Sequence, residues 1–417
     1  MAKRVIFHID VNSAFLSWSA AEHLYLGGSV DYRTINSAVA KEGAGKGIIL
    51  AKSDGAKACG VKTAEPIWQA KEKCPDLYIV PPNYGLYLRA SAAMKKLFFD
   101  YTPLVEPFSI DECFLDMTGQ EKFFGEPLAS AYIIKERIKN ELGFTVNIGI
   151  GNNKPLAKMA SELKKPDMVN TLWQEEIPEK LWTKPIDFLF MAGRQSVKKL
   201  RRIGIDTVGK LAELDEGLTH SLLGKSGDML RRYANGIDDE PVLPGELPPP
   251  KSLSQSITLP LVLADESEAE PIFVYIAENL SAKLRKQKMT ASVISVAVKD
   301  GDRNYKSKQR HINEPLLHRR IILKYALPLL AELWPKHGAR YVGLSLGGLS
   351  TNRTLEGSLF SSDILKEERL DDAVYAIKNR YGDESIHAAI LLDSGVKSLF
   401  RDIDEDEDDG EDPPRFF

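Results

Sequence analysis

A chain of 417 residues with net charge −4 and 43% apolar residues is long enough for two to four domains of ordinary globular composition. Its apolar runs, of which Val293–Val298 is typical, are far too short to span a bilayer, so a membrane role is excluded and a cytoplasmic location is expected. Cys59, Cys74 and Cys113 form no Cys-x-x-Cys pair and the seven histidines no His-Glu-x-x-His helix, which speaks against a disulfide framework or a zinc site.

Met1-Ala2-Lys3-Arg4 runs directly into a strand over Val5–Asp10, whose terminal charge interrupts any signal-peptide core. The patterning then predicts a helix over Ala14–Leu24, a short strand over Ile48–Lys52 and helical character over Ala64–Lys73. After Pro81-Pro82 come a long helix over Tyr84–Phe99 and strand material over Val105–Asp116, interrupted near Ser109. Leu128–Leu142 reads as a helix, Thr145–Ile150 as a strand, and Leu156–Lys164 as a helix stopped by Pro166. This alternation argues for a mixed core of helix and sheet. Short helices separated by glycines fill Ile186–Ile237, and five prolines in Pro241–Pro250 mark a linker. Beyond it a strand–helix–strand–strand–helix–strand series is expected. Its first helix, Ile272–Lys286, aligns Phe273, Ile276, Leu280 and Leu284 on one face, and its strands include Ser292–Val298 and Tyr341–Leu346. A polar segment, a helix near Leu370–Tyr381 and an acidic tail expected to be disordered complete the chain.

The net charge hides a segregation. Residues 402–412 carry nine acids and no base, and without them the chain stands at +5. Residues 279–320 hold eleven Lys and Arg against three Asp and Glu. A basic body is compatible with a phosphate-backbone partner, and equally with a solvated face.

The sharpest cluster of chemistry is Asp10, at the end of the first strand, with Asp111-Glu112 inside Ser109–Asp116. Carboxylates on apolar strands are costly unless a cation neutralises them. Mg²⁺ suits such donors, and two ions about 4 Å apart can clamp the attacking and leaving oxygens of an in-line displacement. Neighbouring residues on a regular strand point to opposite faces. Asp111 and Glu112 can therefore share a site only beside a tight hairpin turn, which is predicted there.

Phe7-His8-Ile9-Asp10-Val11-Asn12-Ser13-Ala14-Phe15, followed at this separation by Ser109-Ile110-Asp111-Glu112, strongly resembles the Y-family DNA polymerases, the DNA polymerase IV-like and UmuC-like group. The resemblance runs from about residue 4 to about residue 360. It implies an α+β right-hand polymerase: palm in 1–12 and 80–171, fingers in 13–79, a helix-hairpin-helix thumb in 172–240, a linker in 241–250, a little finger in 251–350 and a tail in 351–417. It further implies template-directed deoxynucleotide addition of the translesion type, without proofreading, by a monomer acting on primer-template DNA. Asp10, Asp111, Glu112 and the Val11 carbonyl are then the ligands of two Mg²⁺ ions, and Phe15 is the gate that leaves no room for a 2′-hydroxyl.

For the triphosphate, the resemblance points to Lys57 and to Lys165, the latter after Gly149-Ile150-Gly151, read as a turn before a lysine-bearing helix. Asp54 and Lys57 stand where DNA polymerase IV-like members usually carry Tyr and Arg; Lys57 keeps the charge without the bidentate fork, and no role is carried to Asp54. In the thumb-like stretch Arg194–Leu214, the usual Gly-x-Gly turn is Met191-Ala192-Gly193. In the little finger, Arg303, Lys306, Lys308, Arg310, Arg319 and Arg320 are candidate DNA-phosphate contacts, which position a duplex without reading its sequence. Leu355–Phe360, with Leu359 and Phe360 as anchor, resembles a sliding-clamp peptide, and Val396–Phe400 is a poorer second candidate. Two other classes remain open at this point: another two-metal nucleotidyl-transfer enzyme on a palm-like sheet, and a DNA-bound accessory subunit with a weakened nucleotide pocket.

Overall fold

Strand β1 (Ile6–Val11) is buried along its whole length and leads into helix α1 (Ala14–Tyr25). The computed structural model describes residues 4–42, 47–245, 249–351, 362–382, 385–392 and 394–396. Strands β2 (Ser37–Val39) and β3 (Ala51–Lys52), helices α2 (Asp54–Ala58) and α3 (Ile67–Lys73), and strand β4 (Tyr78–Val80) come next, and the strands pair as a small sheet in the order β3-β2-β4. Helix α4 (Tyr84–Phe98), strands β5 (Val105–Pro107) and β6 (Glu112–Asp116), helices α5 (Glu121–Phe124) and α6 (Pro127–Leu142), strand β7 (Val146–Gly151), helix α7 (Lys154–Leu163) and strand β8 (Val169–Leu172) follow. The main sheet has the order β5-β6-β1-β7-β8.

Period-two alternation divides β1 between two environments. Phe7, Ile9 and Val11 join a core with Trp18 of α1, Tyr87 and Met94 of α4, and Ile134 and Ile138 of α6. Ile6, His8 and Asp10 face the opposite side, where α7 lies across the sheet. Gly149 and Gly151 make this possible. They lie within β7 and not in the turn expected from the sequence; a Cβ on Gly149 would stand 2.0 Å from the Ala157 carbonyl oxygen, and one on Gly151 2.8 Å from the Ala157 nitrogen. Close helix-on-strand packing, rather than a special backbone angle, requires these glycines. Asn153 caps α7 by accepting from the Leu156 amide at 3.0 Å, and Pro155 fits its first turn.

Helices α8 (Ile177–Lys180), α9 (Arg194–Arg202), α10 (Val208–Glu213), α11 (Glu216–Leu223) and α12 (Lys225–Ala234) share a core with Leu156, Met159 and Ala160 of α7. The chain divides into two units, within Met1–Leu247 and Pro248–Glu407, so the border falls in the proline-rich stretch. That stretch is not wholly a linker, because Val242 is buried with Ile6 and Phe114 and the Leu243 amide donates to Glu106 Oε2 at 2.7 Å.

In the second unit, β9 (Ser252–Leu263), α13 (Glu270–Lys286), β10 (Ala291–Asp300), β11 (Tyr305–Leu316), α14 (Arg319–Leu333) and β12 (Ala339–Gly347) reproduce the series read from the sequence, as an antiparallel sheet ordered β11-β10-β12-β9. Phe273, Ile276, Leu280 and Leu284 pack on Ile294, Val296, Val298, Val342, Leu344 and Leu346. Helix α15 (Ser362–Tyr381) begins earlier than expected, and Arg285 of α13 holds its Asp371 at 3.4 Å. Leu391 and Val396 enter the same core, so the region expected to be a tail is in part packed structure.

Candidate active site

Strand register builds the site. Asp10 on β1 lies directly opposite Glu112 on β6, and antiparallel partners project from the same face. Phe108 and Ser109 amides both donate to the Glu112 carbonyl oxygen, at 3.0 and 3.2 Å, closing the turn between β5 and β6. Asp111 occupies that turn, one residue before β6, and its carbonyl oxygen accepts from the Val11 amide at 3.2 Å. The bend required by two adjacent carboxylates is therefore present.

Each carboxylate has a distinct set of partners. Asp10 is buried and paired with Lys165, which also reaches Glu162 at 2.8 Å. Glu112 Oε1 accepts from Lys158 Nζ at 2.7 Å, and its Oε2 lies 3.3 Å from His8 Nε2. Asp111 Oδ1 accepts from the Ser109 hydroxyl at 2.6 Å. Burial pushes the Asp10 carboxyl up to about 6, a rise that Lys165 only partly offsets. Burial opposes the charge of Glu112 as well, but hydrogen bonds from His8 and Lys158 prevail and hold it down at about 2. Burial also lowers His8 to about 4, which leaves it neutral at physiological pH.

Among the described residues, no three Asp, Glu, His or Cys side chains stand together as a finished metal-ligand set. The expected convergence is therefore partial: Asp10 and Glu112 share a face, while the Asp111 carboxylate turns to Ser109. The donor chemistry nonetheless suits a hard divalent cation. Two carboxylates on one face are each neutralised by an ammonium, and Asp10 is a buried carboxyl whose charge only a nearby cation supports.

Phe15 projects from the first turn of α1, half-buried, and stacks on Tyr87 with ring centroids 4.5 Å apart and planes 6° from parallel. Tyr84 meets its edge at 5.9 Å. Lys57 is exposed in the last turn of α2. Lys52 on β3, which sequence reading passed over, donates to Thr63 Oγ1 at 2.9 Å; burial and then the charge of Lys57 lower its pKa. Asp54 opens α2 beside the Ser53 cap, where the helix dipole favours an acid. Met191 takes the left-handed conformation (φ 66°) at the turn before α9, a place glycine adopts without cost, and Gly193 caps α9.

Three of the expected DNA-contacting cations are exposed on the edge strand β11. On β11, Lys306, Lys308 and Arg310 are register partners of the buried Val298, Val296 and Ile294, so they lie on the helix-covered side of the sheet. There Glu332 of α14 holds Lys308 and stands 3.7 Å from Arg310. Arg319 is paired with Glu278 of α13. Arg303 sits in the exposed β10–β11 turn with φ 67°, and Arg320 is the second residue of α14. The opposite face bears Ser252, Ser254 and Ser256 on β9, Ser345 and Gly343 on β12, Ser295 and Ala297 on β10, and Ser307 and Gln309 on β11, with Lys299 4.6 Å from the Tyr341 ring at one end. Leu359 and Phe360 lie outside the described residues, as do Leu399, Phe400 and the acidic stretch.

The sequence matches the impB/mucB/samB family over residues 9–162 and the C-terminal domain of that family over 250–359. It is 40% identical to DNA polymerase IV of Clostridium acetobutylicum, across 94% of this chain and 100% of that protein. This chain belongs to the Y-family of DNA polymerases. Bacillus subtilis DNA polymerase IV 1 is 35% identical over 93% of each chain. The polymerase fold also matches a solved Y-family DNA polymerase chimera, Dbh-Dpo4(243-245)-Dbh, with TM-score 0.71 and 22% identity over 84% of this chain and 100% of that one. The expected α+β polymerase fold is thereby borne out, and with it a DNA-directed DNA polymerase of the translesion type. No helix among the described residues is long and apolar enough to cross a membrane.

Proposed function

We propose that the polymerase extends a primer 3′ end by one deoxynucleotide per cycle at a two-Mg²⁺ centre held by Asp10, Asp111, Glu112 and the Val11 carbonyl. The observation that carries this reading is the cross-strand pairing of Asp10 with Glu112 on one sheet face, each already balanced by a lysine. When bound, the ions lower the pKa of the primer hydroxyl and neutralise the triphosphate and the departing pyrophosphate. The remaining work falls to side chains. Lys165 and Lys158, which compensate the carboxylates in the free protein, turn to the triphosphate, and Lys57 of α2 with Lys52 of β3 adds positive charge. Phe15, fixed against Tyr87, packs under the sugar and excludes a 2′-hydroxyl.

In this reading the palm comprises 1–12 and 80–171, the fingers 13–79, the thumb 172–240 and the little finger 251–350. The backbone amides at the start of α9 bind a DNA phosphate. In the second unit the duplex rests on the small, polar open face rather than on Lys306, Lys308 and Arg310. The polymerase works as a cytoplasmic monomer, and Leu359-Phe360 anchors it to a sliding clamp. Primer extension with each deoxynucleotide singly, on undamaged and damaged templates, tests the whole reading. Template-directed, Mg²⁺-dependent addition is expected; DNA binding without extension would favour an accessory subunit.

A further inference from the structure

Behind Glu112 stand His8, which touches it, and Ser161, which touches His8. His8 and Ser161 are both fully buried, His8 on β1 and Ser161 on α7. His8 Nε2 lies 3.3 Å from Glu112 Oε2, and His8 Nδ1 lies 2.9 Å from Ser161 Oγ. His8 is also on the Asp10 side of β1, two residues before it, and its ring packs on Phe114 with centroids 4.8 Å apart.

The carboxylate fixes the direction of the His8–Glu112 contact. An ionised carboxylate only accepts, so His8 Nε2 must carry the hydrogen that points at Glu112. His8 Nδ1 faces the Ser161 hydroxyl, which can give or take a hydrogen bond, at 2.9 Å. The Ser161 hydroxyl is anchored on its own helix by donating to the Lys158 carbonyl oxygen at 2.8 Å. The close approach of α7 over Gly149 brings Ser161 to this place, since its backbone nitrogen lies 2.2 Å from where a Gly149 Cβ would be.

We propose that Ser161 and His8 form a positioning relay, Ser161 Oγ against His8 Nδ1 and His8 Nε2–H to Glu112 Oε2, which sets the orientation of the Glu112 carboxylate for a divalent cation. The relay rests on the metal-centre reading above. It differs from the Lys158 contact in being fully buried, so it persists when a cation displaces the lysine. Partners of this kind orient a ligand without touching the metal, and their loss typically weakens metal binding about 10- to 100-fold.

The test is Mn²⁺ binding to the full-length protein with primer-template DNA, followed by calorimetry and by the paramagnetic resonance of free Mn²⁺. The Mg²⁺ concentration for half-maximal single-turnover extension is measured in parallel, with thermal melts as the control for folding. His8→Leu should raise the metal requirement about tenfold or more, and Ser161→Ala several-fold. His8→Gln, whose amide can reach Glu112, should restore binding to near the wild-type level, whereas His8→Asn, which places its amide toward Ser161, should not. A merely structural role would make Gln and Asn equivalent. Unchanged metal affinity in well-folded His8→Leu and Ser161→Ala proteins would overturn the relay; if His8→Leu does not fold, Ser161→Ala alone decides. Failure of the wild-type protein to bind Mn²⁺ or extend a primer would instead overturn the metal-centre reading.

Discussion

The main sheet of the first unit is covered by helices on both faces and the sheet of the second unit on one, and their polar residues differ in kind. On the first sheet every polar side chain near the site has a named partner: Asp10 with Lys165, Glu112 with Lys158 and His8, and Lys154 with Glu106 at 3.1 Å. On the second, the middle of the open face is mainly Ser, Gly and Ala, and the cations Lys308 and Arg319 are tied to Glu332 and Glu278 on the helix side. Phosphoryl transfer demands particular groups at particular distances, because buried charges are tolerated only in pairs. Holding a duplex of any sequence demands a smooth surface that lets backbones approach and reads no base.

Substitutions should therefore cost far more on the first sheet than on the second. Asp10→Asn or Glu112→Gln is expected to lower single-turnover primer extension by roughly a thousandfold, since several kcal/mol of charge stabilisation are lost. An effect below about tenfold would break the contrast. Phe15→Ala is expected to raise ribonucleotide incorporation relative to deoxynucleotide by a few tens-fold, the scale on which a missing steric contact alters discrimination. Unaltered sugar selection in competition assays would remove Phe15 from the gate.

On the second sheet, Ser295→Glu at the centre of the open face should weaken DNA binding about tenfold through repulsion of phosphates, read by fluorescence anisotropy. Lys308→Ser, on the helix side, should change affinity by less than about twofold and leave the salt slope unaltered; a true phosphate contact would reduce that slope by about 1. If Lys308 proves the more damaging of the two, the duplex lies along the β11 edge and not on the open face.

These differences also explain what could be read in advance. Asp10, Asp111, Glu112 and Phe15 stood out because they fall in contiguous motifs, and the strand–helix series of the second unit was legible from periodicity. His8, Lys158 and Ser161 did not stand out, because their roles arise from strand register and from the approach of α7 to the sheet, both long-range facts. A signal existed for His8, which has the parity of Asp10 on β1, and for Lys158 and Ser161, spaced three apart on one helical face. For the cations of β11, charge alone does not choose a face; Lys306, Lys308 and Arg310 share the parity of the buried Ile312, which points them toward the helix side. The start of α15 and the packing of Leu391 and Val396 escaped because few apolar residues in that region are spaced regularly.

The measurement closest to the central claim is a structure of the wild-type protein with Mn²⁺, a chain-terminated primer on its template and the matching deoxynucleoside triphosphate. Anomalous density beside Asp10 and Glu112 is expected, with Asp111 swung in from Ser109, and with Lys158 and Lys165 released toward the phosphates. Lysines still bound to their carboxylates, and metal found elsewhere or not at all, would contradict the account.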